Sequence, residues 1–374
     1  MGVFWHDGRQ LIGLTRFCNT WLSPKQRSVF VTRVTTSDVV YGEMEAEEER
    51  RPLRVLLVTF NQGEWERANS SVSERVRLFL SRNVQGATNS CDVVVLATQE
   101  ANQLLPDAFS AVLKPMCFQN VVARTLSQLT LGALQLHVWV RDSLVVSRVS
   151  VTMQDSMRCG LLSSKTIAKG AVLAQLTVQD SKNNTTRSLT FASLHLPSNA
   201  SASALRNDCL ARIVQRLLRK DDADQHMFLM GDLNYRTSAT QTVVDARERQ
   251  RIRDTKCFSS PTTTTTTKAP DQLDVALATD PVLVATGLRE IAPRTFCPTC
   301  RFVETREPKR GRLLGPRVFD DRRHPSWCDR ILYRRPPNLT TTTTTTTNIN
   351  VERYDSWELT PESDHNAVFA IVTL

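Results

Sequence analysis

The sequence contains no apolar stretch long enough to cross a membrane, because charged residues interrupt every hydrophobic run. It also lacks an N-terminal basic segment followed by an apolar one, which is the pattern of a secretory signal. Gly2 invites comparison with N-myristoylated chains, but His6 stands where Ser or Thr is expected. These absences predict a soluble, cytoplasmic protein.

The cysteines form no paired framework. There are 9 of them, scattered along the chain, and an odd number is typical of reduced thiols in a cytosolic enzyme. Cys297 and Cys300 have the spacing of half a zinc site or of a redox pair. Because no second cysteine pair at suitable spacing accompanies them, we expect neither zinc nor a disulfide framework.

Positive charge is in excess, with Lys+Arg 47 against Asp+Glu 38 and a net charge of +9. Such an excess favours a phosphate-rich partner, which could be a lipid headgroup, a soluble inositide or a nucleic acid. Charge alone does not choose between these partners. The length of 374 residues and a hydrophobic fraction of 41% are sufficient for a large buried core.

The composition along the chain predicts an N-terminal extension over residues 1–52 and a catalytic domain over residues 53–374. The acidic run from Glu43 to Glu49 is typical of a solvated linker. Two threonine runs, at 262–267 and 340–347, have little to bury, so we expect them to be exposed loop insertions.

Apolar and alternating runs predict a series of strands, and helical spacing of apolar residues predicts helices between them. A stripe from Leu205 to Leu218 predicts an amphipathic helix, and Ser73 is expected to cap an earlier one. Strands mixed with helices in this way indicate an α/β fold with two sheets packed between helices. The predicted strands are Arg54–Phe60, Asp92–Leu96, Leu134–Val140, Ser143–Val149, Ala171–Val178 and Ser188–His195.

The segment Met227–Met230 is a continuous apolar run, typical of a strand buried on both faces. Gly231 follows it, and we expect this glycine to let the backbone turn at the end of the strand. Asp232 and Asn234 alternate with an apolar residue, so both polar side chains should leave on one face. Taken alone, this segment is explained by a strand and an Asx-type turn.

Polar residues also follow several other apolar runs. Each of them alone has an ordinary structural explanation, such as a solvated rim carboxylate or a hydrogen-bonded histidine. Together they favour a catalytic site, because catalytic groups concentrate on loops held by a rigid scaffold. The residues are Asn61, Glu100, His195, Asp232, Asn234, Asp329, Asp364 and His365.

These residue types suit hydrolysis of a phosphate ester with a hard divalent cation. Oxygen ligands such as Glu100 and Asp364, without a cysteine or histidine cage, favour Mg²⁺ over Zn²⁺. A carboxylate such as Asp232 could orient the attacking water or take its proton. Histidine and asparagine side chains could donate hydrogen bonds to the phosphate as its charge shifts.

Two longer motifs resemble the signatures of the inositol polyphosphate 5-phosphatases. They are Gly231-Asp232-Leu233-Asn234-Tyr235-Arg236 and Pro325-Ser326-Trp327-Cys328-Asp329-Arg330-Ile331-Leu332. Shorter matches lie in the same order along residues 53–374: Phe60-Asn61-Gln62-Gly63, Gln99-Glu100, Lys169-Gly170-Ala171-Val172, Leu194-His195-Leu196, Asp271-Gln272-Leu273 and Ser363-Asp364-His365. The resemblance implies the DNase I-like fold, a four-layered α/β sandwich of two β-sheets packed face to face with helices outside.

The resemblance also implies a role for each matching residue. Glu100 would bind Mg²⁺, with Asn61 and Asp364 close to the metal. Asp232 would position or deprotonate water, and Asp329 would orient His365. The remaining implied roles are contacts to the scissile phosphate (Asn234, His195, His365), substrate binding (Lys169, Arg301, Arg323) and support of the site (Arg236, Arg330).

The segment Pro298-Thr299-Cys300-Arg301 departs from the family's usual Pro-Thr-Tyr-Lys, whose tyrosine and lysine contact a 4-phosphate. Arg301 keeps the charge, whereas Cys300 lacks the hydroxyl. Asp321 stands where a basic residue usually precedes the second signature, with Arg322 and Arg323 beside it. These departures leave open which ring phosphates are accepted.

The expected activity is Mg²⁺-dependent removal of the 5-phosphate from phosphoinositides, such as phosphatidylinositol 4,5-bisphosphate or 3,4,5-trisphosphate, or from soluble inositol polyphosphates. The expected partners are inositide headgroups, on an anionic membrane surface or in solution, and not nucleic acid. We expect a monomer that can associate peripherally with membranes. The alternatives are a nuclease of the same fold, similar to the apurinic endonucleases, and a non-catalytic inositide-binding protein.

Overall fold

A computed structural model describes residues 2–6, 9–13, 52–63, 70–84, 90–127, 133–155, 169–180, 185–199, 201–218, 225–237, 246–254, 256–257, 271–303, 317–334, 349–360 and 362–374. The chain divides into two compact units, Met1–Glu49 and Arg50–Leu374. Their border lies close to the boundary proposed after residue 52. The acidic run and both threonine runs lie outside the described residues, so their expected exposure stays a prediction.

The first unit contains a short antiparallel hairpin. Its strands are β1 (Gly2–His6) and β2 (Arg9–Gly13), with Phe4 opposite Leu11.

The second unit contains the remaining elements. Its strands are β3 (Arg54–Asn61), β4 (Val93–Ala101), β5 (Phe118–Ser127), β6 (Ala133–Arg141), β7 (Leu144–Asp155), β8 (Gly170–Asp180), β9 (Thr185–His195), β10 (Gln225–Asp232), β11 (Lys256–Cys257), β12 (Leu288–Glu290), β13 (Arg317–Val318), β14 (Asp329–Arg334), β15 (Asn350–Trp357) and β16 (Ala367–Thr373). Its helices are α1 (Ser70–Asn83), α2 (Leu104–Leu113), α3 (Ser203–Leu218), α4 (Ala246–Asp254), α5 (Gln272–Thr279) and α6 (Pro281–Thr286), with a 3₁₀ turn at Lys114–Met116.

Two 6-stranded sheets form the centre of this unit, in the orders β12-β14-β10-β9-β8-β7 and β15-β16-β3-β4-β6-β5. Each contains one parallel pair, β9 with β10 and β3 with β4, among antiparallel neighbours. Because a parallel pair needs a crossover connection, helices are placed on the outer faces of the sheets.

Alternation along the strands assigns each face of a sheet to a different core. In β3, Val55 and Leu57 pack into the core between the two sheets, whereas Leu56 and Val58 pack beneath α1 and α2. In β10, Phe228 and Met230 enter the same central core, and the alternate residues pack beneath α3. The fold is thus the predicted four-layered α/β sandwich.

Most predicted strands are present, usually longer by a few residues, and β9 ends at His195, where the predicted strand Ser188–His195 also ends. Two expectations were wrong in detail. Helix α1 begins at Ser70, so Ser73 lies within the helix and does not cap it. Strand β10 continues through Gly231 to Asp232, so Gly231 is not a turn. Among the described residues, no helix is long and apolar enough to span a membrane.

Candidate functional site

One row across a sheet carries several of the predicted site residues. In the strand register, Gly170 of β8 lies opposite His195 of β9. His195 in turn lies opposite Asp232 of β10, and Asp232 lies opposite Asp329 of β14. Lys169 immediately precedes β8. Strand pairing therefore brings together residues that are far apart in the sequence at one end of this sheet.

The other sheet delivers its polar residues to the same place. Asn61 ends β3 opposite Gln99 of β4, and Glu100 follows where the register of β4 shifts. Glu100 has a φ of 48°, a left-handed conformation that is uncommon for a residue with a side chain. Asn61 Nδ2 donates a hydrogen bond to Asp232 Oδ2 at 3.0 Å, which joins the two sheets at this end.

Asp232 is the centre of the hydrogen bonds at this end. Its Oδ1 accepts the backbone N–H of Asn234 at 3.0 Å, and its Oδ2 lies 3.5 Å from His195 Nε2. Although burial opposes ionisation, the bond from His195 and the positive charge of His365 and Lys169 hold the pKa of Asp232 well below its usual range. Asp232 is therefore a buried, ionised carboxylate.

The residue before Asp232 must be a glycine, because the backbone of the neighbouring strand approaches it closely. A Cβ on Gly231 would lie 1.9 Å from Leu194 O in the neighbouring strand. This position therefore needs glycine for contact between β9 and β10, which is the physical reason why the glycine lies inside the strand.

His195 lies between Lys169 and the carboxylates of Glu100 and Asp232. Its Nε2 contacts Lys169 Nζ and lies 3.6 Å from Glu100 Oε1. Burial, and then the neighbouring Lys169, lower the pKa of His195 below its usual value. We therefore treat its imidazole as neutral near pH 7, able to donate a hydrogen bond without carrying charge.

Asn234 is held from two sides. Its φ is 55°, its Nδ2 donates to Leu196 O at 3.0 Å, and its Oδ1 accepts from Arg236 Nη2 at 2.7 Å. Arg236 also donates to Cys300 Sγ at 3.8 Å. The supportive role that the motif implied for Arg236 thus corresponds to a direct contact with a site residue.

The predicted pair of Asp329 and His365 is present. His365 Nδ1 lies 2.7 Å from Asp329 Oδ2, which also accepts a bond from Thr299 Oγ1 at 2.7 Å. Burial opposes charge on the ring, but the Asp329 carboxylate and the Cys300 sulfur raise the pKa of His365 well above its usual value. Thr299 was not among the predicted site residues, although its position in the Pro-Thr-Cys-Arg segment was the signal for it.

Arg301 is engaged by acidic side chains. Its Nε lies 2.8 Å from Asp364 Oδ2 and 3.8 Å from Asp320 Oδ2. Asp320 also pairs with Arg322 at 2.6 Å.

Arg323 is exposed on the turn after Asp320. Within the part of the chain that the structure describes, it makes no hydrogen bond or ion pair with another predicted site residue. The strand pairing of Asp232 with Asp329 joins two groups of side-chain contacts into one connected cluster. It contains Asn61, Glu100, Lys169, His195, Asp232, Asn234, Arg301, Asp329, Asp364 and His365.

One cysteine expectation was wrong. Cys297 is disulfide-bonded, whereas Cys300 is a free thiol, so the two do not pair with each other. The expectation that every thiol is reduced therefore fails at Cys297. Cys91, Cys117, Cys209 and Cys328 are free, in agreement with it.

The donor atoms fit a hard divalent cation. Glu100 and Asn61 end neighbouring strands, and the loop of Asp364 is tied to Asn61 because Ser363 Oγ donates to Asn61 O at 2.7 Å. Among the described residues, no group of three or more candidate ligand side chains is assembled around one point. Carboxylate and amide oxygens are the ligands that hard divalent cations prefer.

The chain is similar in sequence to curated proteins. Phosphatidylinositol 3,4,5-trisphosphate 5-phosphatase 1 of Homo sapiens is 25% identical over 337 residues, which cover 84% of this chain and 26% of that protein. The Mus musculus protein of the same name is 25% identical over 342 residues, with the same coverage. The chain thus spans about a quarter of the length of these curated relatives.

Among solved structures, the inositol polyphosphate 5-phosphatase domain of spSynaptojanin, in complex with inositol (1,4)-bisphosphate and calcium, has a TM-score of 0.56 and 18% identity, covering 86% of this chain and 84% of that one. The Cimex nitrophorin ferrous NO complex has a TM-score of 0.52 and 20% identity, covering 86% and 99%. At these identities the two structures support the fold alone.

The sequence model of Endonuclease/Exonuclease/phosphatase family 2 matches residues 58–371, which contain every residue of the connected cluster and both sheets except the first residues of β3 and the last of β16. The similarity to 5-phosphatases inferred from the motifs is confirmed by the curated relatives. The chain belongs to Endonuclease/Exonuclease/phosphatase family 2.

Proposed function

We propose that the protein is a Mg²⁺-dependent phosphatase that removes the 5-phosphate from phosphoinositides or soluble inositol polyphosphates. The observation that carries the proposal is the arrangement around Asp232, a buried ionised carboxylate bonded to Asn61 and facing His195 and His365. The similarity to 5-phosphatases supports the choice of inositides as the substrate class.

Asp232 orients the attacking water in this proposal. A carboxylate with a strongly lowered pKa is a weak base, so it contributes more by accepting a hydrogen bond from the water than by removing a proton early. Asn61, bonded to the same oxygen, keeps the carboxylate in one orientation. Positioning of this kind supplies a large part of catalysis in phosphoryl transfer.

In this proposal one charged and one neutral histidine contact the phosphate. His365, whose pKa is raised by its pair with Asp329, donates a hydrogen bond as an imidazolium to the oxygens on which charge develops. Neutral His195 and the amide of Asn234 supply further donors without a second full charge. When bound, Mg²⁺ would stabilise the charge of the phosphate and of the leaving oxygen.

The test is release of inorganic phosphate from 4,5- and 3,4,5-phosphorylated inositol lipids in vesicles and from soluble inositol polyphosphates, with Mg²⁺ and with a chelator. Asp232→Asn should abolish release, whereas Asp208→Asn, which alters an exposed carboxylate paired with Arg212 on α3, should not. Release that persists in chelator or in Asp232→Asn would overturn the mechanism.

The same assay separates the alternatives. Cleavage of abasic DNA without phosphate release from any inositide would favour the nuclease, and saturable inositide binding without release would favour a non-catalytic binding protein. We also propose a monomer that binds anionic membranes peripherally. Analytical ultracentrifugation and co-sedimentation with vesicles that contain inositol lipids test these two points.

A further inference from the structure

A second pair of reactive groups lies beside the site, and the proposed chemistry does not use it. Backbone hydrogen bonds join Cys300 to Ser326, from Cys300 N to Ser326 O at 3.1 Å and from Ser326 N to Cys300 O at 2.7 Å. Cys328 lies two residues beyond Ser326 on the same facing segment, and its Sγ donates to Tyr235 O at 3.6 Å, next to the Arg236 whose side chain reaches Cys300 Sγ. Each thiol lies close enough to the other to shift its pKa. Both are free cysteines and both are buried.

The surroundings of Cys300 favour a nucleophilic sulfur. Arg236 Nη1 donates to its Sγ at 3.8 Å, and the backbone of Cys300 also forms a bridge with His365. The neighbouring Cys328 thiol, together with His365 and Arg236, holds the pKa of the Cys300 thiol well below its usual value although burial opposes this. Burial raises the pKa of Cys328, which therefore stays protonated. A thiolate beside a protonated thiol is the pairing that forms a disulfide after oxidation.

We propose that Cys300 is a modification site for hydroperoxides, at which oxidation closes a disulfide between Cys300 and Cys328. The Cys300 thiolate attacks one oxygen of the peroxide, the O–O bond breaks, and a sulfenic acid and an alkoxide or hydroxide are formed. The Cys328 thiol then displaces the sulfenic oxygen, which leaves as water together with the Cys328 proton. In total two thiols are oxidised to one disulfide and one peroxide is reduced.

Disulfide formation should disturb the catalytic groups on both sides. The two sulfurs must leave their present partners, Arg236 and Tyr235 O, and approach to a covalent bond of about 2.05 Å, so the facing segments must shift. Cys328 precedes Asp329, the partner of His365, and Cys300 holds the guanidinium that orients Asn234. This effect on activity rests on the proposed phosphatase function, whereas the disulfide itself does not.

A small peroxide can reach Cys300 although the cysteine is buried, with 4% of its surface exposed. In the proposed function a substrate phosphate must reach His365, which contacts Cys300. A path wide enough for a phosphate group admits hydrogen peroxide, which is much smaller.

The experiment treats the full chain with hydrogen peroxide, blocks remaining thiols with N-ethylmaleimide, and maps disulfides by non-reducing peptide mass spectrometry. We expect a Cys300–Cys328 cross-linked peptide and a loss of phosphate release of about tenfold or more, since small misplacements of catalytic groups are costly. Dithiothreitol should restore release. Cys300→Ala and Cys328→Ala should resist inactivation, whereas Cys117→Ala, at an exposed free cysteine, should remain sensitive.

Dithiothreitol also reduces the disulfide at Cys297. Cys300→Ala is therefore taken through the same oxidation and reduction, and any change in its phosphate release measures the effect of reducing that disulfide. Absence of the cross-linked peptide in oxidised wild-type protein, or sulfinic acid at Cys300 with Cys328 unmodified, would overturn the proposal. A cross-link that leaves phosphate release unchanged would overturn the coupling to activity. If no inositide is hydrolysed at all, the peptide map still decides the modification, so the two proposals fail independently.

Discussion

Arg301 Nε lies 2.8 Å from Asp364 Oδ2, so a side chain predicted to bind substrate phosphate is paired with one predicted to lie near the metal. The arginine side chain is 33% exposed and Asp320 lies on its other side. This arrangement gives Arg301 a competing role, because its charge occupies a carboxylate that a cation would use. Whether Arg301 binds the substrate therefore depends on its release from Asp364.

Arg301→Gln should lower the Mg²⁺ concentration needed for half-maximal phosphate release. Removing a partly exposed ion pair with Asp364 is worth up to about 1 kcal/mol, or about a fivefold change in apparent affinity. Magnesium titrations at saturating substrate measure this effect. Arg322→Gln is the matched control, because Arg322 pairs with Asp320 and not with Asp364. An increase in the required Mg²⁺ would show that Arg301 does not compete with the cation.

Asp329→Asn should reduce kcat by about a hundredfold or more, because it removes the charge that keeps His365 protonated. The same substitution should shift the pH dependence of the rate. His365 must be protonated to donate, and the variant lowers its pKa, so the alkaline limb of the pH–rate profile should move towards acid.

Thr299→Val is the control for Asp329→Asn, since it keeps the carboxylate. It removes the bond from Thr299 Oγ1 to Asp329 Oδ2 and the one that Thr299 Oγ1 accepts from Asp329 N, of which the first, worth about 1 kcal/mol or somewhat more, acts on the pair with His365. It should reduce kcat by about fivefold and leave the alkaline limb near its original position. Equal pH–rate profiles for wild type and Asp329→Asn would rule out a charged His365.

Gly231→Ala should destabilise the protein strongly, because the added Cβ would lie 1.9 Å from Leu194 O. Relieving such an overlap requires β9 and β10 to separate, and overpacking of this kind costs about 1–3 kcal/mol or more. Urea unfolding followed by circular dichroism gives the free energy of unfolding. At Gly287 an added Cβ meets nothing within 4 Å, so Gly287→Ala should cost only the strain of its positive φ, about 1 kcal/mol. Equal losses in the two variants would contradict this account.

His137 should make stability fall in mild acid. Both of its ring nitrogens are buried without a hydrogen-bond partner, and burial lowers its pKa from 6.5 to about 4. The unfolded chain therefore binds the extra proton first as pH falls. The stability that depends on a neutral His137 is fully present above about pH 6.5. It is lost as the pH falls towards 4, and the free energy of unfolding decreases by an amount on the order of 3 kcal/mol.

The measurement for His137 is the free energy of unfolding of wild type and His137→Phe at about pH 7 and pH 5. The variant keeps the ring stacked on Trp139 and cannot be protonated, so it should lose less stability between the two pH values. His226→Phe is the comparison, because His226 Nδ1 has a partner in Tyr333 OH at 3.1 Å. An identical pH dependence of wild type and His137→Phe would show that His137 does not titrate in this range.

The fold was largely predictable from local patterns. Strands such as β3 and β10 are buried along almost their whole length, so their apolar runs were clear in the sequence. The strands β5 and β15 were missed, because both lie at a sheet edge and mix polar with apolar residues. Helices α5 and α6 were also missed, although Asp271 and Asp280 cap them through their side chains.

The site was predictable as a set of residues, and less so as a set of contacts. The motifs identified Asp232, His365 and Asp329 because the chemistry requires particular side chains at the ends of strands. The pairing of Arg301 with Asp364 and the contact of Cys300 with Arg236 join segments that are distant along the chain. No local pattern encodes which charge lies beside another after such segments fold together.

The sequence by itself therefore determined most of the buried strands and the residue types of the site, since hydrophobic periodicity and chemical type are local properties. Only the tertiary structure decided that Gly231 lies inside a strand against Leu194 and that Cys297 and Cys300 do not pair. It also decided that Arg301 is held by carboxylates. Steric contact, disulfide pairing and charge balance depend on distances between remote segments, and those distances exist only in the packed protein.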